Sequence, residues 1–318
     1  MTIGEPPSSF LGQLHATFGV PAQAVTELIR RATGMSGFTV IRVVHGYDNE
    51  VYRAELHGLR VFARIRQLSD ESFSTEAWAM DAARHAGVPV PEVLLLDDIS
   101  TEEGPRAAMV LAAARGTAIS DIADAPSSNR ATALQRSGQV LAQLHTVATP
   151  GFWRPTPDGT WPLTDWQTSM SGFIRGRTAE RDLIVSIGTD IEFDHMVELM
   201  AIYVRDYPCT QPVLCHGDFT PDHVFVDHDL RVSDVIDFGM FGAGPAAGDL
   251  AFLNFRLTPE DFNAVIAGYG NESPEFRRAI DLHTVGLAIG HLAHHVTIGD
   301  TDGTRSGLRR LTAAIQRL

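Results

Sequence analysis

The stretch from Pro212 to Gly239 constrains this 318-residue chain more than any other. A short apolar run, Pro212 to Leu214, enters the polar loop Cys215-His216-Gly217-Asp218-Phe219-Thr220-Pro221-Asp222-His223. A second run, Val224 to Val226, ends at a charged turn over Asp227–Arg231, and a third, Val232 to Ile236, delivers Asp237 just before Phe238-Gly239. Short apolar, β-branched runs bounded by turn formers read as strands. The order strand, loop, strand, turn, strand predicts one small hairpin sheet with Asp218, His223 and Asp237 gathered at one end. There one carboxylate can face a substrate hydroxyl, while a carboxylate and an imidazole hold a divalent metal. Phosphoryl transfer asks for such a set, because positioning and charge neutralisation carry most of its catalysis. Asp222, beside Pro221, is a rival to Asp218 as the base. Asp227, Asp229 and Asp234 read as solvated turn residues, and His216 as a buried hydrogen-bonding strut of the loop.

Composition narrows the class. The chain is long enough for two lobes or domains, and 44% hydrophobic with 20% charged residues is ordinary for a soluble globular protein. The formal net charge of −14 argues against nucleic acid as a partner and suits a cationic small molecule. Two cysteines, Cys209 and Cys215, make neither a disulfide framework nor a zinc spacing, which fits a reducing cytoplasm. No secretory leader is expected, and no apolar run approaches the length of a membrane span.

Taken in order, residues 1–37 read as a loose end followed by helices over Phe10–Phe18 and Pro21–Ala32. Phe38–Val44, Val51–Leu56 and Leu59–Ile65 alternate as three strands joined by turns at His45-Gly46-Tyr47-Asp48-Asn49 and His57-Gly58. On the third strand Phe62, Arg64 and Arg66 share a face. Ser69–Ala86 reads as a helix ended by Gly87 and Pro89. Val93–Leu96 and Ala107–Ala112 complete five strands, before a small-residue segment, Ala112-Ala113-Ala114-Arg115-Gly116. Beyond it lie an amphipathic helix over Arg130–Thr146, a Trp-rich irregular stretch over Gly151–Trp166, and helices over Trp166–Arg181 and Asp190–Tyr207. Asp190, Asp194 and Glu198 stack on one face of the last, either as a solvated face or as a wall that recruits a cation. Asp249 suits an N-cap that also braces the catalytic loop. His145 reads as a satisfied core histidine. So do the i, i+4 pair His291 and His295, which have no third metal ligand.

His216-Gly217-Asp218 with His223 five residues past the Asp, followed by Ile236-Asp237-Phe238, resembles the aminoglycoside phosphotransferase family of small-molecule kinases. The family has Asn where this chain has His223; a His there resembles the macrolide phosphotransferase branch. The resemblance implies an α+β, two-lobed protein-kinase-like fold: an antiparallel-sheet, nucleotide-binding lobe over residues 38–114 and a mainly helical catalytic and acceptor-binding lobe over 115–318. It implies ATP or GTP with Mg²⁺, and transfer of the γ-phosphoryl group to a hydroxyl of an antibiotic-type acceptor, an aminoglycoside, macrolide or related amino sugar. Asp218 is then the catalytic base, and His223 and Asp237 hold the metal. Phe62-Ala63-Arg64-Ile65 matches the family pattern around its phosphate-binding cation, so Arg64 takes that place, oriented by Glu76 or by the rival Glu71. Arg66 is then a solvated neighbour. Gly46 and Asn49 would cover the phosphates, and Met109 and Ala112 would flank the base. Asp194, Glu198 and Trp161 are the candidates for the acceptor. A metabolite kinase of the choline, homoserine or methylthioribose type is the alternative within the family. A non-catalytic nucleotide-binding module and a metal-dependent hydrolase are the alternatives outside it.

Overall fold

The computed structural model describes residues 19–44, 49–67, 72–101, 104–122, 127–187 and 192–318. Its chain divides into two compact units, Met1–Trp78 with Val90–Ala114, and Ala79–Pro89 with Arg115–Leu318.

In the first unit, β1 (Thr39–Val43), β2 (Asn49–Leu56), β3 (Leu59–Arg66), β4 (Val93–Thr101) and β5 (Gly104–Ala112) form one antiparallel sheet in the order β1-β2-β3-β5-β4. Strand alternation decides what each face carries. Val61, Ala63 and Ile65 of β3, with Ala54, Ala108 and Val110, point to one face. Helix α1 (Ala22–Thr33) covers it with Val25, Leu28 and Ile29, spaced i, i+3, i+4. Gly34, at φ 69°, ends α1 and returns its amide to the Arg30 carbonyl at 2.8 Å. Phe62, Arg64 and Arg66 are left to the opposite face of β3. The sequence places Asn49 in a turn; here it opens β2, opposite Arg66 in register. Helix α2 (Ser74–His85) follows.

The second unit is mainly helical. It contains α3 (Ser127–Leu144), α4 (Trp166–Ala179), α5 (Arg181–Ser186), α6 (Phe193–Asp206), α7 (Ala247–Arg256), α8 (Pro259–Tyr269), α9 (Pro274–Thr297) and α10 (Thr301–Gln316). Its core collects Trp166, Met170, Phe193, Met196, Met200 and Tyr203 around Leu282, Val285, Ile289 and Leu292 of α9. The strands around residues 212–239 do not form the single hairpin sheet expected from sequence. β8 (Val224–Val226) pairs with β9 (Val232–Val235) and with β6 (Thr117–Ala118), whereas β7 (Val213–Cys215) pairs with β10 (Gly242–Gly244). The loop between β7 and β8 is too long to act as a hairpin turn, so β7 finds its partner further along the chain. β10 is two glycines and an alanine, with none of the β-branched signal that marks a strand.

Asp234 is a second correction. It is only 2% exposed, and its carboxylate accepts from the backbone amide of Arg115 at 2.7 Å and from Arg115 Nε at 2.9 Å. It tethers the start of the second unit's chain to β9. Asp227 does stay in its turn, accepting from the amides of Asp229 and Arg231.

Helices α3 and α8 cross on two glycines. A Cβ at Gly268 would fall inside van der Waals contact with the Gln135 carbonyl oxygen, and one at Gly138 would do so with that of Val265. Gly268→Ala would gain about 1 kcal/mol of helix propensity. It must also force two backbones apart, and overpacking typically costs about 1–3 kcal/mol. The expected result is a net loss, read as a urea midpoint below that of the parent; a raised midpoint would show that the helices do not touch at Gly268.

Candidate active site

On the open face of β3, Arg64 forms an ion pair with Glu76, whose carboxylate is almost fully buried in the first turn of α2. Arg66 reaches the other carboxylate oxygen at 3.6 Å and donates to Asn49 Oδ1 at 3.4 Å. Its guanidinium lies 4.3 Å from the Phe73 ring centroid, and that of Arg64 lies 5.5 Å from it. Arg66 is therefore not a solvated neighbour. Residues two apart on a strand share a face, so the carboxylate that orients Arg64 meets Arg66 as well. Two arginines against one buried carboxylate leave a net positive charge, which suits an anion. Met109 sits across from Arg64 in register and is fully buried. The amide of Ala112 is already committed to the Glu92 carbonyl at 2.9 Å. Gly46 and the rival Glu71 lie outside the described residues.

In the second unit, the loop after β7 is held by one buried carboxylate. Asp249 accepts from the backbone amides of His216 and Gly217, each at 2.7 Å, and lies 3.1 Å from His145 Nε2. The other ring nitrogen of His145 is 2.9 Å from Tyr269 Oη. Asp249 thus braces the loop as expected, but from within the first turn of α7 rather than as its N-cap, which is Ala246. Amide and imidazole partners hold its carboxyl below the usual range despite its burial. His216 is the buried strut: Nε2–H donates to the Ile236 carbonyl at 2.9 Å, and Nδ1 accepts from the Asp218 amide at 3.2 Å. Gly217, at φ 81°, turns the loop against the backbone of Met240, where no Cβ fits.

This frame sets out three side chains. His223 Nδ1–H donates to the Asp218 carbonyl at 2.8 Å and stands 3.5 Å from Asp218 Oδ2. A ring committed there offers Nε2 as its ligand atom, and Nε2 is 3.8 Å from Asp237 Oδ2. That gap is less than twice the ~2.1 Å of a Mg²⁺–oxygen bond, so one ion can reach both groups; the pair fits a divalent metal. Asp237 itself holds a left-handed backbone, φ 63° and ψ 63°, a conformation that costs of order 1 kcal/mol or more in a non-glycine residue and gathers at functional sites. Burial pushes the Asp218 carboxyl up; His223 and then Arg256 draw it back, while Asp237 and Asp222 add to the rise. Asp222 is exposed, and no hydrogen bond fixes its carboxylate among the described residues.

Other candidates lie elsewhere on the second unit. Asp194 is 77% exposed and ion-paired with Arg181, and Glu198 is 74% exposed beside His195, 3.7 Å away. Asp190 lies outside the described residues. Trp161 packs over Gly151. Sequence reasoning passed over Arg256, although it stands seven residues after Asp249 and so on the same face of α7. It marked Trp153 only as part of the Trp-rich stretch and passed over Arg154. Trp153, at φ 63°, pairs with Ala243, while Arg154 donates to the carbonyls of Gly239 and Phe241 beside Asp237.

Residues 39–280 match the sequence model of the phosphotransferase enzyme family. The chain belongs to that family. Among curated protein sequences none matches it. Solved structures do. A thermostable mutant of aminoglycoside phosphotransferase APH(4)-Ia, in ternary complex with AMP-PNP and hygromycin B, aligns with a TM-score of 0.70 at 18% identity, over 92% of this chain and 98% of that one. The GDP and kanamycin complex of APH(2")-IIia gives 0.65 at 16%, over 92% and 98%. Macrolide 2'-phosphotransferase MphH from Brachybacterium faecium gives 0.56 at 20%, over 91% and 98%. At such identities these are likenesses of fold, and this phosphotransferase has their kinase-like fold: an antiparallel-sheet unit and a mainly helical one. No helix among the described residues is long and apolar enough to cross a membrane.

The buried His216 and the half-buried His283 make the phosphotransferase acid-sensitive. Burial pushes both His216 and His283 down to about 4. Unfolding returns each to ~6.5, so as pH falls the unfolded chain binds protons that the native one refuses. The stability they support is whole above ~6.5 and lost towards 4, at about 1.4 kcal/mol per pH unit for each. Urea midpoints should fall between pH 6.5 and 4.5, and His283→Phe should flatten the fall by roughly one histidine's share. A midpoint independent of pH over that range would contradict the buried neutral rings.

Proposed function

We propose that the chain transfers the γ-phosphoryl group of ATP or GTP to a hydroxyl of a small-molecule acceptor of the antibiotic type. The observation that carries this reading is the trio in one braced loop region: Asp218 3.5 Å from His223, and His223 3.8 Å from Asp237. In the reaction, the acceptor oxygen bonds to the γ-phosphorus as the bond to the bridging oxygen breaks. The hydroxyl proton goes to Asp218, and a phosphate monoester and a nucleoside diphosphate leave. A loose transition state demands little base strength, so an Asp whose carboxyl is raised chiefly by burial suffices. Asp237 and His223 would hold Mg²⁺, which supplies neutralisation of phosphate oxygens. Within the first unit, Arg64, aligned by Glu76 and seconded by Arg66, is the group for phosphate charge.

Antibiotic acceptors are favoured by likeness to enzymes solved with hygromycin B and kanamycin and to a macrolide phosphotransferase. For a cationic acceptor the support is the net charge of −14, since the carboxylate of Asp194 already has Arg181.

Aminoglycosides, macrolides and small alcohols, each incubated with Mg²⁺ and ATP or GTP and read by mass spectrometry, should reveal at least one phosphate adduct. Asp218→Asn should lower kcat by about a hundredfold or more with nucleotide affinity nearly unchanged. Near-normal kcat in that variant would remove Asp218 as the base. His223→Asn, which supplies an oxygen ligand, should keep substantial activity; an inactive but folded variant would give His223 another task.

A further inference from the structure

Apolar side chains scattered singly over a surface need no explanation, but neighbours at one place do. Among the described residues of the second unit, the exposed large apolar side chains are Trp153, Val185 and Met240. Val185 belongs to α5. The other two, 44% and 59% exposed, stand on segments that are hydrogen-bonded together around Asp237. Met240 closes the short helical turn that Asp237 opens. Its backbone lies against Gly217, the residue before Asp218: a Cβ placed there would fall 3.3 Å from Met240 Cβ. Trp153 exchanges both backbone hydrogen bonds with Ala243, at 2.7 and 2.6 Å, and Ala243 pairs in turn with Leu214 of β7, which leads into the loop of Asp218. The next residue, Arg154, donates to the carbonyls of Phe241, at 2.8 Å, and Gly239. Both exposed side chains are therefore anchored to the turn that begins at Asp237.

The support under Trp153 is built into three helices. Its ring stacks on Phe173 of α4, with centroids 6.3 Å and planes 30° apart. Phe173 sits in a notch of α9, where a Cβ at Gly286 would fall 2.6 Å from its ring. It meets His283 of α9 at 5.7 Å, and His283 meets Tyr203 of α6 edge-on at 4.9 Å. Burial pushes His283 down to about 4, so this imidazole is uncharged near neutral pH. Trp153 itself holds a φ of 63°. A bulky residue takes that conformation only when its surroundings impose it, and such residues gather at ligand clamps and active sites. The row thus ends in an indole held from behind and open in front. Its partners are rings, and none of them supplies the carboxylate that an ammonium group seeks. A thioether beside it adds a soft surface that adapts to irregular ligands.

We propose that Trp153 and Met240 are acceptor-binding residues, which take an uncharged apolar face of the acceptor beside the hydroxyl presented to Asp218. They select a hydroxylated ring system with an extended aliphatic or aromatic face over a small polyol or a polyammonium sugar, because covering the indole removes apolar surface from water. This assignment rests on the phosphotransferase reading and adds to it the surface that chooses the acceptor.

Matched acceptors test it. Methyl and phenyl glucosides share their ring hydroxyls and differ in apolar face, and a macrolide beside an aminoglycoside repeats the contrast at larger size. With Mg²⁺ and nucleotide, phosphate adducts read by mass spectrometry should favour the apolar-faced member of each pair. For the best acceptor, Trp153→Ala should raise KM by about tenfold or more with kcat changed far less, the mark of lost uniform binding. Trp153→Phe should keep most of the affinity, and Met240→Ser, which empties no core, should give a smaller rise in KM even where Trp153→Ala fails to fold. Without nucleotide, the same acceptor should change the tryptophan fluorescence of the parent and leave that of Trp153→Phe unchanged. Adducts confined to the methyl glucoside or the aminoglycoside, or a KM and a fluorescence signal indifferent to these substitutions, would overturn the apolar subsite and leave the phosphotransferase reading standing. No adduct with any acceptor, in protein that is folded by circular dichroism, would overturn both.

Discussion

One buried carboxylate, that of Asp249, organises the loop that carries Asp218 and His223. It takes the amides of His216 and Gly217 and meets His145, which lies against Tyr269. Hydrogen bonds to a charged group contribute about 1.5–3 kcal/mol each, and a buried amide left without a partner costs about as much. The loop between β7 and β8 therefore has one good conformation. Everything useful follows from it: His216 turns to the Ile236 carbonyl and the Asp218 amide, and His223 closes on the Asp218 carbonyl. The arrangement of Asp218 and His223 is a consequence of backbone satisfaction before it is a matter of side chains.

A second buried carboxylate plays the matching part in the sheet unit. Glu76 faces two arginines of β3 rather than one, and Phe73 lies beneath both guanidiniums. Such an arrangement is rigid, positively charged on balance and fixed by strand alternation. Arg in place of the ammonium usual in kinases changes the hydrogen-bonding fork and keeps the charge.

Much of this was legible in the sequence, for a physical reason. Asp218, His223 and Asp237 sit in short loops between strands, so their spacing along the chain nearly determines their spacing in space. β2 and β3 of the first unit alternate cleanly, and α1 shows its i, i+3, i+4 stripe. What escaped depended on pairing at long range. β7 was read into the hairpin of β8 and β9, yet its partner β10 is a glycine-alanine segment with no strand signal. Asp234 looked like a turn acid because its partner, Arg115, lies over a hundred residues away. Arg66 looked solvated because a single carboxylate was assigned to a single cation.

Net charge governs solubility and long-range attraction; the proposed chemistry rests on the loop being held as Asp249 holds it. Amide hydrogen exchange at His216 and Gly217, measured together with Mg²⁺-dependent turnover in the parent and in Asp249→Asn, tests that claim most directly. The account predicts strong protection of both amides in the parent, and in the variant a joint loss of protection and of turnover with the helices still folded. Turnover that persists while those two amides exchange freely would contradict it.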